Sequence, residues 1–234
     1  MIPIYIPTRG IVTTTYDSLP DALKANVVLM GHDKPIAEKR QIILDGAISL
    51  KQPFFVMVDD DCKFTRYEDG VCTNQPATAE DFAAFYKKAT KLFTRYNNLA
   101  MISDHPRAFS NTDKDYSGGL SKFVLHYTDR VKSARYDRIG LFEDVDFYLQ
   151  LAREGKAYIK LKRLATSNDS QDYVDIAPER YEDIFRDWAD NFPNVTIDWS
   201  KPSVFAGNKK IPVTVRFKYN KLVSQSIFDI MGNL

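Results

Sequence analysis

The sequence predicts a single α/β domain, a sheet flanked by helices, with a mixed C-terminal elaboration. Short apolar runs alternate with stretches of helical period, the pattern of an α/β chain. One run, Phe54-Phe55-Val56-Met57-Val58, is apolar at every position, as expected of a strand buried on both faces. It stops abruptly at Asp59-Asp60-Asp61, which places three carboxylates at a strand's carboxyl end, the edge of an open α/β sheet where ligands bind. With 234 residues, 44% of them hydrophobic, the chain can bury the core of one large domain.

The elements follow in order. Ile2 to Pro7 forms a first strand, with Pro3 and Pro7 at its ends or on an edge. Ala25 to Met30 is a second apolar run, broken at Gly31. Pro35 opens a helix to about Lys51, where its missing N–H costs nothing; the apolar stripe is Ile36, Ile43, Leu44, Ala47 and Ile48. The strand ending in the acid triplet follows. Thr78 with Asp81 three residues on resembles a capping box, and Phe82, Phe85, Tyr86, Ala89 and Phe93 give that helix a buried face. Leu99 to Ser103 reads as a strand, residues 111–119 as a polar loop, and residues 123–131 as a mixed segment. A helix starts near Glu143 and stops before Gly155, a left-handed cap. Tyr158 to Leu164 reads as a half-exposed strand with lysines on one side. Pro178 begins a helix that uses Tyr181, Ile184, Phe185 and Trp188, and residues 213–219 alternate with the period of a strand buried on one face. Residues 1–165 make the expected core and residues 166–234 the elaboration packed on it.

The net charge of +1 hides local asymmetry. Residues 201–234 carry six basic side chains against Asp229, suited either to a polyanion or to the solvated side of a strand. Two cysteines, Cys62 and Cys72, exclude a disulfide framework, and the three histidines match no zinc spacing. The composition suits a reducing cytoplasm, and no leader or long apolar run points to export or a membrane. Neither a phosphate-binding G-x-x-x-x-G-K-[ST] loop nor a G-x-G-x-x-G after the first strand is present.

Function is signalled where polar residues interrupt the pattern. Strand one ends at Thr8-Arg9-Gly10, strand two at Gly31-His32-Asp33 and strand three at the triplet, so three strands deliver polar groups to one edge. Oxygen-only ligands suit Mg²⁺ or Mn²⁺ shared with a substrate's phosphates; a lone acid triplet also fits a solvated turn. Arg40 falls inside its helix's apolar stripe, where it either reaches an anion or carboxylate at the sheet edge or snorkels out at the helix start. In Leu141-Phe142-Glu143-Asp144-Val145-Asp146, acids favoured by the helix dipole follow two apolar residues, which suggests a buried helix start facing a cleft.

Taken together, the segments IPIYIPTRG, IAEKRQIIL, VMVDDDCKF and GLFEDVDFYLQLAREG resemble nucleotide-sugar glycosyltransferases of the GT-A fold, a Rossmann-like mixed sheet flanked by helices, and are most similar to the phage TET-associated glycosyltransferases. The resemblance covers roughly residues 1–165. It implies a Mn²⁺- or Mg²⁺-dependent enzyme that moves a sugar from a nucleoside-diphosphate sugar, with UDP favoured. The implied acceptor is a hydroxymethylated pyrimidine in duplex DNA, and the location is the cytoplasm of an infected host if the chain is phage-encoded. It further implies that Asp59 and Asp61 bind metal and diphosphate, that Asp60 meets the ribose, and that Thr8, Arg9 and Arg40 cradle the nucleotide. Glu143 and Asp144 are then the pair facing the acceptor, with Asp144 the preferred base and Asp146 turned to another helical face. The family's third metal ligand, often histidine, has no evident counterpart; Asn168 or Asp169 could substitute. His105, Gly118 and Gly119, in polar loops between the acidic motifs, are candidates for shaping the acceptor pocket. Rival readings are transfer to a polysaccharide, protein or small molecule, a metal-dependent nucleotidyltransferase, and a non-enzymatic DNA-binding module.

Overall fold

A computed structural model describes residues 2–8, 13–31, 33–106, 121–168, 178–193, 195–198, 200, 203–205, 209–211 and 214–217, with side chains described except at 106, 168, 178–181 and beyond 200. In chain order the elements are β1 (Ile4–Thr8), α1 (Thr14–Ser18), α2 (Asp21–Lys24), β2 (Val27–Gly31), α3 (Ile36–Ser49), β3 (Phe54–Val58), β4 (Cys62–Glu68), β5 (Val71–Pro76), α4 (Ala79–Arg95), β6 (Leu99–Pro106), β7 (Phe123–Tyr127), α5 (Thr128–Val131), α6 (Glu143–Arg153), β8 (Ala157–Asn168), α7 (Pro178–Asn191), β9 (Val195–Asp198), β10 (Ser203–Phe205), β11 (Lys209–Ile211) and β12 (Thr214–Phe217).

Eight strands form one mixed sheet in the order β2-β1-β3-β7-β6-β8-β4-β5. β2, β1 and β3 run parallel, β7 runs against both β3 and β6, and β6 is parallel to β8. The carboxyl ends of β1, β2, β3, β6 and β8 therefore meet at one edge, where β4 also begins. The expected α/β class is present, the carboxyl ends of the three expected strands share one edge, and β6 and β8 extend it.

Local chemistry explains most of the framework. Thr78 and Asp81 form the reciprocal capping box of α4, whose Phe82, Phe85, Ala89 and Phe93 are buried. Gly155, with φ of 74°, terminates α6 in the left-handed region open to glycine. Phe55 to Val58 are all buried, as a strand covered on both sides requires. Within the stripe of α3, Ile43, Leu44 and Ala47 are buried but Ile36 is 37% exposed, because the first turn of that helix projects past the sheet edge into a cleft.

Two expectations need correction. Residues 62–76, with no element assigned from sequence, form the β4–β5 hairpin, turning at Asp69 (φ 49°) and Gly70 (φ 80°); Asp-Gly is a favoured pair for such a turn. The half-exposed strand over 158–164 is instead an interior strand, β8, held between β6 and β4, so even Lys160 is buried. The Arg163 side chain remains outside.

A second apolar cluster of Leu149, Phe185, Trp188, Phe192 and Val195 joins α7 and β9 to α6. Its polar pin is Asp146, which is fully buried. This carboxylate accepts from Arg138 through both oxygens, from the Trp188 indole N–H at 2.9 Å and from Gln150 at 2.8 Å. Asp146 does turn to another face than its neighbours, as expected, but that face is an interior one, which makes the residue structural. Among the described residues, no helix is long and apolar enough to cross a membrane.

An asparagine at 146 keeps one acceptor oxygen but turns an amide N–H₂ toward the donors that the other oxygen serves, and removes the charge opposite Arg138. Asp146→Asn is expected to cost about 3 kcal/mol of stability, the low end for breaking a buried pair because Arg138 is partly exposed. Urea unfolding of the two proteins at neutral pH measures this.

Candidate active site

The acid triplet sits in the turn between β3 and β4, and the short helix α1 holds that turn in place. Thr15 donates its hydroxyl to the Asp59 carbonyl and accepts from the Cys62 N–H at 2.8 Å, while its own N–H donates to the Asp60 carbonyl at 3.2 Å. Ser18 donates to the Cys62 carbonyl at 2.9 Å. Backbone groups that a tight acidic turn would leave unpaired are thereby satisfied, and the three acids line a cleft of about 440 Å³ together with Pro7, Thr8, Lys34, Lys39, Arg40 and Lys122.

Arg40 is directed inward. Its guanidinium pairs with Asp59 at 2.6 Å and with Glu143 at 3.1 Å, joining the end of β3 to the start of α6, and it lies 6.0 Å from the Tyr136 ring centre. Burial opposes its charge, but Glu143, Asp59 and Asp144 outweigh that effect and hold its pKa above the ordinary arginine value. Burial likewise pushes Asp59 and Glu143 up, against the opposing pull of Arg40 on both and of Lys122 on Asp59. The snorkelling alternative is excluded for this arginine.

Behind the cleft lies a chamber of about 310 Å³, and the two share Pro7, Arg40, Asp59 and Lys122. Asp144, Ser121, Val124, His126 and Tyr136 complete its walls. The His126 ring stacks on Phe55 at 4.6 Å and its Nε2 lies 2.8 Å from the Tyr136 hydroxyl; burial lowers its pKa to about 3, so it is neutral. Asp144 therefore faces the chamber, whereas Glu143 is spent on Arg40. Phe142, immediately before the acids, has a left-handed backbone (φ 55°), a strained state for a bulky residue that the surrounding packing must hold. Its ring lies 6.3 Å from Phe185 and 6.0 Å from Trp188.

Lys39 and Lys122 were not singled out as site residues from sequence. Lys39 is 3% exposed and donates to the Thr8 carbonyl at 2.7 Å; among the described residues no carboxylate pairs with it. Lys122 lies 2.8 and 2.9 Å from the two Asp61 oxygens and 3.9 Å from Asp59. Only the helical phase of Lys39 beside Arg40 could have signalled the first. The second depends on strand register.

Of the other expected site residues, Thr8 and Asp60 line the cleft. His105 does not lie in a polar loop: it is a buried residue of β6, paired in register with Ala165, and lines neither cavity. Arg9, His32, Gly118, Gly119 and Asp169 lie outside the described residues. So do the side chains of Asn168 and of the basic residues after 200, although the register of β8 puts residue 168 opposite Cys62, beside the triplet.

For a divalent ion, Asp59 and Asp61 offer hard oxygen donors on one turn, and among the described residues no third acid, histidine or cysteine joins them as a cluster. Mg²⁺ and Mn²⁺ use one or two carboxylates and complete their shell with substrate phosphates and water. The pair fits such an ion in the presence of a diphosphate.

β6 adds a buried carboxylate to the same edge. Asp104 is fully buried and accepts from the Ser121 hydroxyl and from the Thr166 N–H and hydroxyl, with the buried Lys160 nearby. Ser121, on the chamber wall next to Lys122, is held by this group.

The model of one family, TET-Associated Glycosyltransferase, matches residues 24–172, more than half of the chain. The chain belongs to the TET-associated glycosyltransferases. It is thus a glycosyltransferase that uses a nucleotide sugar. The family match spans α3, the acid triplet, β7 and α6, which line much of the cleft and chamber; Pro7 and Thr8 of β1 lie before it. No curated protein matches the chain. Two solved structures align with most of it: A197 from STIV, 14% identical with a TM-score of 0.47 (90% of this chain and 93% of that one), and glucosyl-3-phosphoglycerate synthase from Mycobacterium tuberculosis in complex with Mn²⁺, UDP and phosphoglyceric acid, 8% identical with a TM-score of 0.47 (94% and 90%).

Burial raises Asp104 from 3.8 to about 6, despite its three donors and Lys160. Its folded pKa thus lies above the unfolded one, so its contribution to stability is full below about pH 4 and is lost as the pH rises through about 6. Melting temperature followed from pH 4 to pH 7 should show this loss in the TET-associated glycosyltransferase, and Asp104→Asn should flatten it.

Proposed function

We propose that this enzyme transfers a sugar from a nucleoside-diphosphate sugar, with UDP the favoured nucleotide, to the hydroxyl of a 5-hydroxymethylpyrimidine in duplex DNA, with the help of a divalent ion. The observation that carries this reading is the join between an acid- and cation-lined cleft and a chamber faced by Asp144, with Arg40 at the boundary. The cleft accommodates the nucleotide and diphosphate, and the chamber the sugar and the incoming hydroxyl.

In this reading the acceptor oxygen attacks the anomeric carbon, its proton passes to Asp144, and the bond from that carbon to the diphosphate oxygen breaks. A positioned carboxylate contributes roughly 10²–10⁴-fold to such a step. A metal ion held by Asp59 and Asp61 would neutralise charge growing on the departing diphosphate. Lys39 supplies a second positive group: it is a buried ammonium whose described partner is a neutral carbonyl, and an anion in the cleft would compensate its charge. Arg40 holds Asp59 and Glu143 in register with one another. Asp60, at the rim of the same cleft, is assigned to the ribose, and Thr8 and Arg9 to the nucleotide. In an enzyme that retains anomeric configuration, Asp144 would instead orient the acceptor.

The decisive assay combines the enzyme, Mn²⁺, a panel of nucleotide sugars and hydroxymethylated duplex DNA, with mass spectrometry of the digested nucleosides. A mass gain of one sugar with release of nucleoside diphosphate is expected. Release of pyrophosphate would identify a nucleotidyltransferase, and transfer confined to a glycan, protein or small molecule would replace the acceptor. Asp144→Asn should lower turnover by roughly 10²–10⁴-fold with UDP affinity nearly unchanged. Asp61→Asn should abolish metal-dependent UDP binding.

The basic C-terminal stretch is assigned to the DNA backbone. Replacing Lys209, Lys210, Arg216 and Lys218 with Gln should weaken DNA binding and flatten its salt dependence, by about one released counterion for each lost phosphate contact. Fluorescence anisotropy against salt measures the slope, and an unchanged slope would place DNA elsewhere.

A further inference from the structure

Lys122 occupies a position that the acidic turn reserves for positive charge. β3 and β7 pair antiparallel with Val58 opposite Phe123, and the Asp59 N–H donates to the Lys122 carbonyl at 3.1 Å, so Lys122 stands across from the triplet by strand register. Its ammonium spans both oxygens of Asp61, at 2.8 and 2.9 Å, and reaches to 3.9 Å from the Asp59 oxygen that Arg40 leaves open. The side chain is one-third exposed and borders both the cleft and the chamber.

An ammonium and a divalent ion on the same carboxylate compete, because each weakens the other's hold on its charge. A metal bound to Asp61 must take at least one oxygen that Lys122 now holds, and two cations within a few ångströms repel. The lysine stem is flexible, and its head would be released toward a cleft in which a diphosphate supplies the nearest new negative charge. We propose that Lys122 is a tethered cation that neutralises Asp59 and Asp61 in the donor-free enzyme, leaves Asp61 when the metal binds, and then holds an oxygen of the donor diphosphate. This rests on the reading of Asp59 and Asp61 as metal ligands. It makes metal and donor binding mutually dependent: the ion competes with Lys122 when alone, and the diphosphate rewards the displaced lysine.

Two binding measurements on wild type and Lys122→Gln test the idea without recourse to turnover. Mn²⁺ binding to the nucleotide-free protein, read by electron paramagnetic resonance, should tighten about tenfold in the variant, since a competing charge has been removed. UDP binding at saturating Mn²⁺, read by calorimetry, should weaken about tenfold. Unchanged Mn²⁺ affinity in the variant, with Mn²⁺-dependent UDP binding intact in wild type, would overturn the proposal and leave the metal assignment standing. UDP binding that ignores Mn²⁺ in wild type would overturn the metal assignment itself and the displacement with it. Lys122→Met, which keeps the apolar stem, should repeat the Gln result; a tighter Mn²⁺ site in Gln alone would trace the effect to the new amide and also overturn the proposal.

Discussion

The guanidinium of Arg40 is the interaction on which the site's architecture depends. Three elements distant in sequence converge on it: α3 carries it, the end of β3 offers Asp59, and the start of α6 offers Glu143. Without the cation, two buried carboxylates would face one another in a region that already disfavours their charge, and either protonation or separation would follow. With it, the strand end and the helix start are fixed at a distance that leaves a chamber between them. The arginine is planar and keeps its charge, and it engages two acids through separate nitrogens, a role lysine could not take over unchanged.

Charge is distributed around that bridge in layers. Asp59 is shared between Arg40 and Lys122, Asp61 belongs to Lys122, and Lys39 is buried beside a neutral carbonyl. Asp60 and Glu143 add to the acids on this side, and of the buried cations Lys39 is the one whose described partner is uncharged. An anion beside Lys39 would compensate its charge locally, whereas a neutral sugar would gain little from it. On the other side, His126 is neutral and Asp144 shares the chamber with Arg40, whose charge it helps to support. The chamber thus sets the Asp144 carboxylate opposite uncharged groups on one side, Val124, His126 and Tyr136, and the charged boundary with the cleft, Arg40, Asp59 and Lys122, on the other.

Much of this was legible in the sequence because it rests on local rules. The capping box at Thr78, the stop at Gly155, the proline before α3 and the wholly apolar β3 each depend on a few adjacent residues, and helical phase alone directed Arg40 inward. What escaped was set by distant partners. β4 and β5 carry mixed polar residues with no clean alternation, and only the Asp69-Gly70 turn betrayed them. β8 was misjudged because the burial of Lys160 depends on its neighbours β6 and β4. Lys122 and Asp104 acquire their partners through the pairing of β3, β7, β6 and β8, which no single window of sequence displays. Asp146 was recognised as turning away from the cleft, but the Trp188 it meets belongs to a helix far along the chain.

The left-handed Phe142 has a consequence for how the enzyme comes into being. The strain at that residue is held by the rings of Phe185 and Trp188, and the same Trp188 is pinned through Asp146 to the helix that carries the acid pair. Chains emerge from the ribosome amino end first. The sheet edge, the acid triplet and Arg40 precede α7 in the chain, and until α7 docks the left-handed Phe142 lacks the two rings that pack beside it. Among the described helices the last to emerge thus completes the packing beside the acid pair, so that the turn before α6 depends on a part of the chain made after the sheet.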